Sequence, residues 1–260
     1  MDFDIAYVIA GLAVGFIVGL TGVGGGSLMT PILLWFGVSP ASAVGTDLLY
    51  AAITKAGGIH VHHKNKNIDW RITGFLSAGS LPAAALTLWF LHSISVDTDK
   101  LNSIIRSTLG YVLVLTAVAI LCKQRIYNWA MRNDSWITRM SPQQQRNATI
   151  ITGVILGAVV TLTSIGAGVL GTVALFMLYP LLPTSKLIGT EIAHAVPLTL
   201  IAGMGHAGLG NVDWELLANL LIGSLPGIYM GSSLVNKVKD NYLRPALASM
   251  LILIGIKLVM

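Results

Sequence analysis

The chain has 260 residues, 54% of them hydrophobic and 10% charged, with a mean hydropathy of +0.76. Soluble domains carry about 25% charged residues, so an ordinary soluble fold is excluded and an integral membrane protein is expected. The formal net charge of +5 collects in loops between apolar runs, which argues against a nucleic-acid partner, and the one cysteine, Cys122, excludes an internal disulfide and a cysteine-based zinc site.

Taken in order, the first half offers apolar stretches at 3–20, 27–37, 41–59, 72–91 and 107–122, and the second at 148–162, 169–182, 186–207, 216–235 and 242–260. Runs of this kind are helical spans, and the alternation of a membrane β-barrel is missing, so the expected class is all-α. Asp2 and Asp4 at the start lack the basic character of a secretory signal, and the first stretch reads as a retained span. At 1.5 Å per residue, 27–37 covers about 16 Å, roughly half of a ~30 Å hydrocarbon core. It and 169–182 read either as full crossings or as re-entrant segments.

Basic residues gather in three loops: Lys64, Lys66 and Arg71; Lys123, Arg125, Arg132, Arg139 and Arg146; and Lys237, Lys239 and Arg244. The positive-inside rule places these loops in the cytoplasm and both termini outside. Each half then crosses an odd number of times, which inverts the second relative to the first. The expected organisation is a first membrane repeat (1–122), a basic linker (123–147) and a second repeat (148–260). Arginine every seventh residue in the linker reads as an amphipathic helix facing lipid phosphates, or as a plain basic linker that fixes topology.

The repeat itself is visible in motifs. Leu20-Thr21-Gly22-Val23-Gly24-Gly25-Gly26 returns as Leu162-Thr163-Ser164-Ile165-Gly166-Ala167-Gly168. Gly45-Thr46-Asp47 returns as Gly189-Thr190-Glu191, Asp69-Trp70 as Asp213-Trp214, and GSLP at Gly79 to Pro82 returns at Gly223 to Pro226, all at an offset of 144 (213 − 69). Paired hydrophobic segments broken by glycine at matching places point to a transporter's substrate site. Glycine admits close approach and unusual backbone angles, and a helix that starts after such a break turns free N–H donors and a positive dipole end toward it. An anion fits that field.

Ionisable groups inside a span are costly and need a partner or a purpose. Asp47 and Glu191 occupy equivalent positions, and two readings stand for them: protonatable carboxylates beside the substrate, or first-turn acids behind Thr46 and Thr190 as helix N-caps. Lys55, about 12 Å along the helix from Asp47, reads as an anion attractor or as a side chain snorkelling to the membrane edge. His194 shares the face of Glu191 and suits a proton relay or hydrogen-bonded packing. His60, His62 and His63, with His206 matching His62, could ligate a transition metal, but inverted topology separates His62 from His206 and a basic loop is the better reading. No serine-nucleophile elbow surrounds Ser164, so no enzyme activity is expected. Pro82 and Pro226 interrupt spans as kinks or hinges. Gly74, Ala78, Ala83, Ala84 and Ala85 suit close helix packing, a homodimer contact included.

The order LTGVGGGSLMTPIL, GTDL and GSLP, with its second copy, resembles the sulfite exporter TauE/SafE family over nearly the whole chain. The resemblance implies a multi-pass protein of the cytoplasmic membrane that exports sulfite, a sulfonate or a related sulfur anion. The residues themselves place the substrate among Thr21, Gly22, Gly24, Gly25, Gly26, Thr46, Asp47, Thr163, Ser164, Gly166, Gly168, Thr190 and Glu191. Asp47, Glu191, His194 and Lys55 are the candidates for a proton or anion relay, and no cofactor or metal is called for. An anion channel of the same architecture and a histidine-dependent metal protein are the rival readings.

Overall fold

The computed structural model describes residues 4–21, 28–94, 98–130, 140–234 and 240–259, among which every regular element is an α-helix. These are α1 (Ile5–Thr21), α2 (Met29–Trp35), α3 (Pro40–Lys64), α4 (Trp70–Ile94), α5 (Thr98–Ala130), α6 (Pro142–Thr163), α7 (Val169–Leu178), α8 (Thr184–Gly208), α9 (Trp214–Leu234) and α10 (Asp240–Val259). Helices α4, α5, α6 and α8 are long and apolar enough to cross a membrane. Helices α2 and α7, with 7 and 10 residues, reach only about 10 Å and 15 Å.

Local chemistry explains the starts. Ser39 caps α3, its hydroxyl accepting from the Ser42 N–H, with Pro40 in the first turn where no N–H is needed. The Asp-Trp pairs act the same way: the Asp69 carboxylate accepts from Arg71 and Ile72 at the head of α4, and Asp213 accepts from Glu215 and Leu216 at the head of α9. Ser141 and Gln144 form a reciprocal capping box before α6. That box starts α6 at Pro142, and α5 runs unbroken to Ala130, so both expected linker bounds fall within helices. Arg125 therefore lies on α5 and Arg146 on α6, while Arg132 and Arg139 lie outside the described residues.

The halves are interleaved. The most extensive packing joins α1 to α9 and α4 to α6, followed by α5 with α10 and α3 with α8. Glycines permit the first two pairings by letting backbones touch. Gly11 and Gly15 meet the carbonyls of Leu220 and Ser224, and Gly223 and Gly227 meet those of Val8 and Leu12. The second pairing repeats the pattern, with Gly153 and Gly157 against Leu76 and Ser80, and Gly79 against Ile150. Close backbone approach of this kind supplies dispersion and Cα–H···O contacts where lipid offers no hydrophobic drive between helices. Helices α3 and α8 sit inside this frame, α3 burying Val44, Leu48 and Leu49, and α8 burying Ala195, Leu198 and Ala202 in the main core.

Candidate functional site

Midway along α3 and α8 the core stops being apolar. Asp47 is 0% exposed, Glu191 2% and Lys55 6%, although a buried charge is tolerated only when paired. Thr30, the second residue of α2, donates to Asp47 Oδ2 from its backbone N–H (3.1 Å) and its hydroxyl (2.5 Å). Lys55 donates to the carbonyl of Ala167 in the second Gly-rich break and lies within electrostatic reach of Asp47, Glu191 and His194. It does not snorkel. Its ammonium is held inside the protein, in the break between α6 and α7.

The capping reading of Thr46 and Thr190 is overturned by the helix starts. Helices α3 and α8 begin at Pro40 and Thr184, a full seven residues before the acids, so Asp47 and Glu191 belong to helix interiors. The two threonines instead hold the opposite half. The Thr46 hydroxyl accepts from Asp213 N–H (3.0 Å) and that of Thr190 from Asp69 N–H (2.9 Å), fixing the caps of α9 and α4. Neither touches the charged centre through its hydroxyl. Lys186, near the start of α8, pairs with Asp69 at 3.6 Å.

The second break is shaped by backbone geometry. Gly166 and Gly168 take φ of +116° and +155°, values that side-chain-bearing residues rarely adopt. Ser164 closes α6 in the left-handed region and is buried, with its hydroxyl facing Asp47 and lacking a hydrogen-bond partner. The Thr163 hydroxyl, by contrast, donates to the Val159 carbonyl and accepts from the Ile165 N–H. It is committed to the turn and is not a free oxyanion ligand. Thr21 ends α1, and Gly22, Gly24, Gly25 and Gly26 lie outside the described residues.

Four residues that the motifs did not single out complete the centre. Besides Thr30, these are Tyr50, Ser80 and Ser224. His194 Nε2 bonds the Ser80 hydroxyl at 2.8 Å, and the Tyr50 hydroxyl faces Ser224. The signal was available: at the repeat offset Tyr50 matches His194 and Ser80 matches Ser224, both serines belonging to the GSLP motifs read above for their prolines. Asp47 Oδ1, Glu191 Oε1, His194 Nδ1, Ser164 Oγ and Tyr50 OH are all buried without a hydrogen-bond partner. Buried polar atoms are normally satisfied, so such a concentration makes this centre the candidate binding place.

The histidine cluster does not form a second centre. His60 and His63 are exposed, and His206 is buried against the Thr161 carbonyl and Asn211. Among the described residues no three His, Cys, Asp or Glu side chains come together as a metal site.

An all-helical chain with several membrane-length helices and a sealed cluster of opposite charges between them has the build of a membrane transporter. Residues 7–258 match the profile of the Sulfite exporter TauE/SafE family, to which the chain belongs. It is 40% identical to a probable membrane transporter protein, YjnA, of Bacillus subtilis strain 168, over 98% of this chain and 100% of that one. It is 27% identical to another from the same organism, YdhB, over 92% and 96% of the two chains. A third, MJ0441 of Methanocaldococcus jannaschii, is 27% identical over 96% and 92%. No solved structure matches it significantly.

Proposed function

We propose that the protein is a secondary transporter that exports a small sulfur oxyanion, sulfite or an organosulfonate, across the cytoplasmic membrane by alternating access. The observation that carries this reading is the buried ammonium of Lys55, set in the Gly-rich break beside Ser164 and backed by unsatisfied polar atoms. A sulfonate oxygen takes up such donors well, and glycine at 166 and 168 lets it approach the backbone. The family resemblance supports the sulfur chemistry, and the positive-inside distribution supports two inverted repeats with both termini outside. Contacts that recur at equivalent positions, Thr46 with Asp213 and Thr190 with Asp69, fit that symmetry. The short helices α2 and α7 fit re-entrant halves of a midplane site. Cavities border the turn after each: about 230 Å³ beside Trp35 with Arg106 and Lys257, and about 200 Å³ beside Tyr179 with Arg71 and Arg146. The second is also lined by Asp69, which partly offsets its two arginines, so the cationic character is clearer in the first.

The test is transport in proteoliposomes of sulfite, taurine, sulfoacetate, ethanesulfonate and sulfate. Saturable flux with counterflow of one sulfur anion is the expected result. Non-saturating flux without counterflow would replace the carrier with a channel, and no flux of any of them would refute the reading.

A further inference from the structure

The buried charges do not add up to zero, and the imbalance has a consequence for coupling. Lys55 contributes one positive charge, and Asp47 and Glu191 contribute two negative charges if both are ionised. Among the described residues, the titratable groups that face this trio are His194 from α8 and Tyr50 from α3. The neighbouring elements α2, α4, α9 and the α6–α7 break bring uncharged groups: the N–H and hydroxyl of Thr30, the hydroxyls of Ser80, Ser224 and Ser164, and the Ala167 carbonyl. His194 and Tyr50 are counted neutral, because a further charge on either would be buried in the same core beside Lys55 and the two acids.

From this geometry we infer that the site carries one monovalent anion together with one proton, and that Asp47 is the group that takes up the travelling proton. The inference rests on the anion-transport reading above. A net charge in a dry core is expensive, and two carboxylates sharing one cation do not both stay ionised. The empty site is neutral with one proton on the acid pair. Thr30 gives Asp47 Oδ2 two donors, which favour its ionised form, whereas Glu191 Oε1 has no donor. The resident proton therefore sits on Glu191, and Asp47 is the counter-ion of Lys55.

An arriving monoanion takes over Lys55 and leaves Asp47 as the uncompensated charge. Protonation of Asp47, whose Oδ1 is free to receive it, restores neutrality. A dianion would leave one negative charge even with both acids protonated. The site accordingly selects R–SO₃⁻ and hydrogen sulfite over sulfate, and each cycle moves an anion and a proton in the same direction with no net charge. Such movement follows the gradient of the acid and ignores the membrane potential.

The experiment uses the full-length protein in liposomes containing a pH-sensitive dye, with the potential clamped by potassium and valinomycin. The probes are hydrogen sulfite and ethanesulfonate as monoanions, sulfoacetate and sulfate as dianions, and taurine as a net-neutral zwitterion. The expected result is one proton per monoanion, no proton with taurine, a dianion flux at least about tenfold slower, and the same monoanion accumulation at zero and at about 100 mV. A bare monoanion would instead redistribute about 50-fold, the ratio corresponding to ~2.3 kcal/mol per charge per 100 mV. Asp47→Asn is expected to lose proton-linked net flux, whereas His60→Ala, exposed and away from the charged centre, is expected to retain it. Saturable anion flux that follows the potential without protons overturns the stoichiometry and leaves the proposed function standing. Proton-linked flux that survives in Asp47→Asn overturns the assignment of Asp47. No movement of any probe by the wild-type protein overturns both.

Discussion

Substituting Gly79 by alanine tests whether the α4–α6 pairing depends on backbone contact. A Cβ at Gly79 would overlap the Ile150 carbonyl and lie 2.8 Å from Val154 N, both backbone atoms on α6 that cannot rotate aside. Gly74, on the same helix, has nothing within 4 Å of its Cβ position and serves as the matched control. Both substitutions gain the helix propensity of alanine, about 1 kcal/mol, so the difference between them isolates the clash. Overpacking of this kind costs about 1–3 kcal/mol, which for a chain of this size corresponds to about 2–4 °C in Tm per kcal/mol. The assay is thermal unfolding of the detergent-purified variants, followed by tryptophan fluorescence. Equal Tm values for Gly79→Ala and Gly74→Ala would refute the claim that these helices are held at backbone contact.

Other outcomes follow from the site and the caps. Thr30→Val removes the hydroxyl donor to Asp47 and keeps the backbone one, so transport should slow by about 10- to 100-fold, a hydrogen bond to a charged group being worth about 1.5–3 kcal/mol; Thr30→Ser should restore it in the same flux assay. Lys55→Met should abolish saturable anion flux while circular dichroism shows unchanged helix content. Asp213→Ala removes the cap of α9 and should cost about 1 kcal/mol in thermal stability, with the transport Kd for substrate unchanged. Replacing His60, His62 and His63 by alanine should leave flux unchanged, and elemental analysis should find no stoichiometric transition metal before or after.

Much of the helical frame is legible from composition, because 20-residue apolar runs have few alternatives. The edges are less so: α5 continues through Lys123 and Arg125 to Ala130 because charged residues with good helix propensity do not end a helix, and hydropathy alone cannot see past the membrane boundary. Asp47 and Glu191 are readable as carboxylates at equivalent repeat positions, Lys55 and His194 by their helix-face spacing from those acids, and Ser164 from the second Gly-rich break, and the structure brings them to one place. Thr46 and Thr190 are misread as caps of their own helices because the sequence gives a threonine's neighbours along the chain and not the N–H it meets across the fold. Thr30, Ser80, Ser224 and Tyr50 were missed for a related reason. A hydroxyl inside an apolar run commonly bonds a carbonyl one turn back, as Thr199 does with Ala195 and Ser224 with Leu221, and although the repeat offset pairs Ser80 with Ser224 and Tyr50 with His194, only the fold shows that Thr30 and Ser80 meet Asp47 and His194.

Interleaving also sets the order in which the molecule can be made. Helix α1 is made well before its main partner α9, which is completed roughly 200 residues later, an interval of about 10–40 s at ~5–20 residues per second. Until α9 is inserted, the glycine face of α1, shaped for the Leu220 and Ser224 backbone, lacks that partner. The N-terminal half is in this sense a waiting template, finished by the C-terminal half closing onto it.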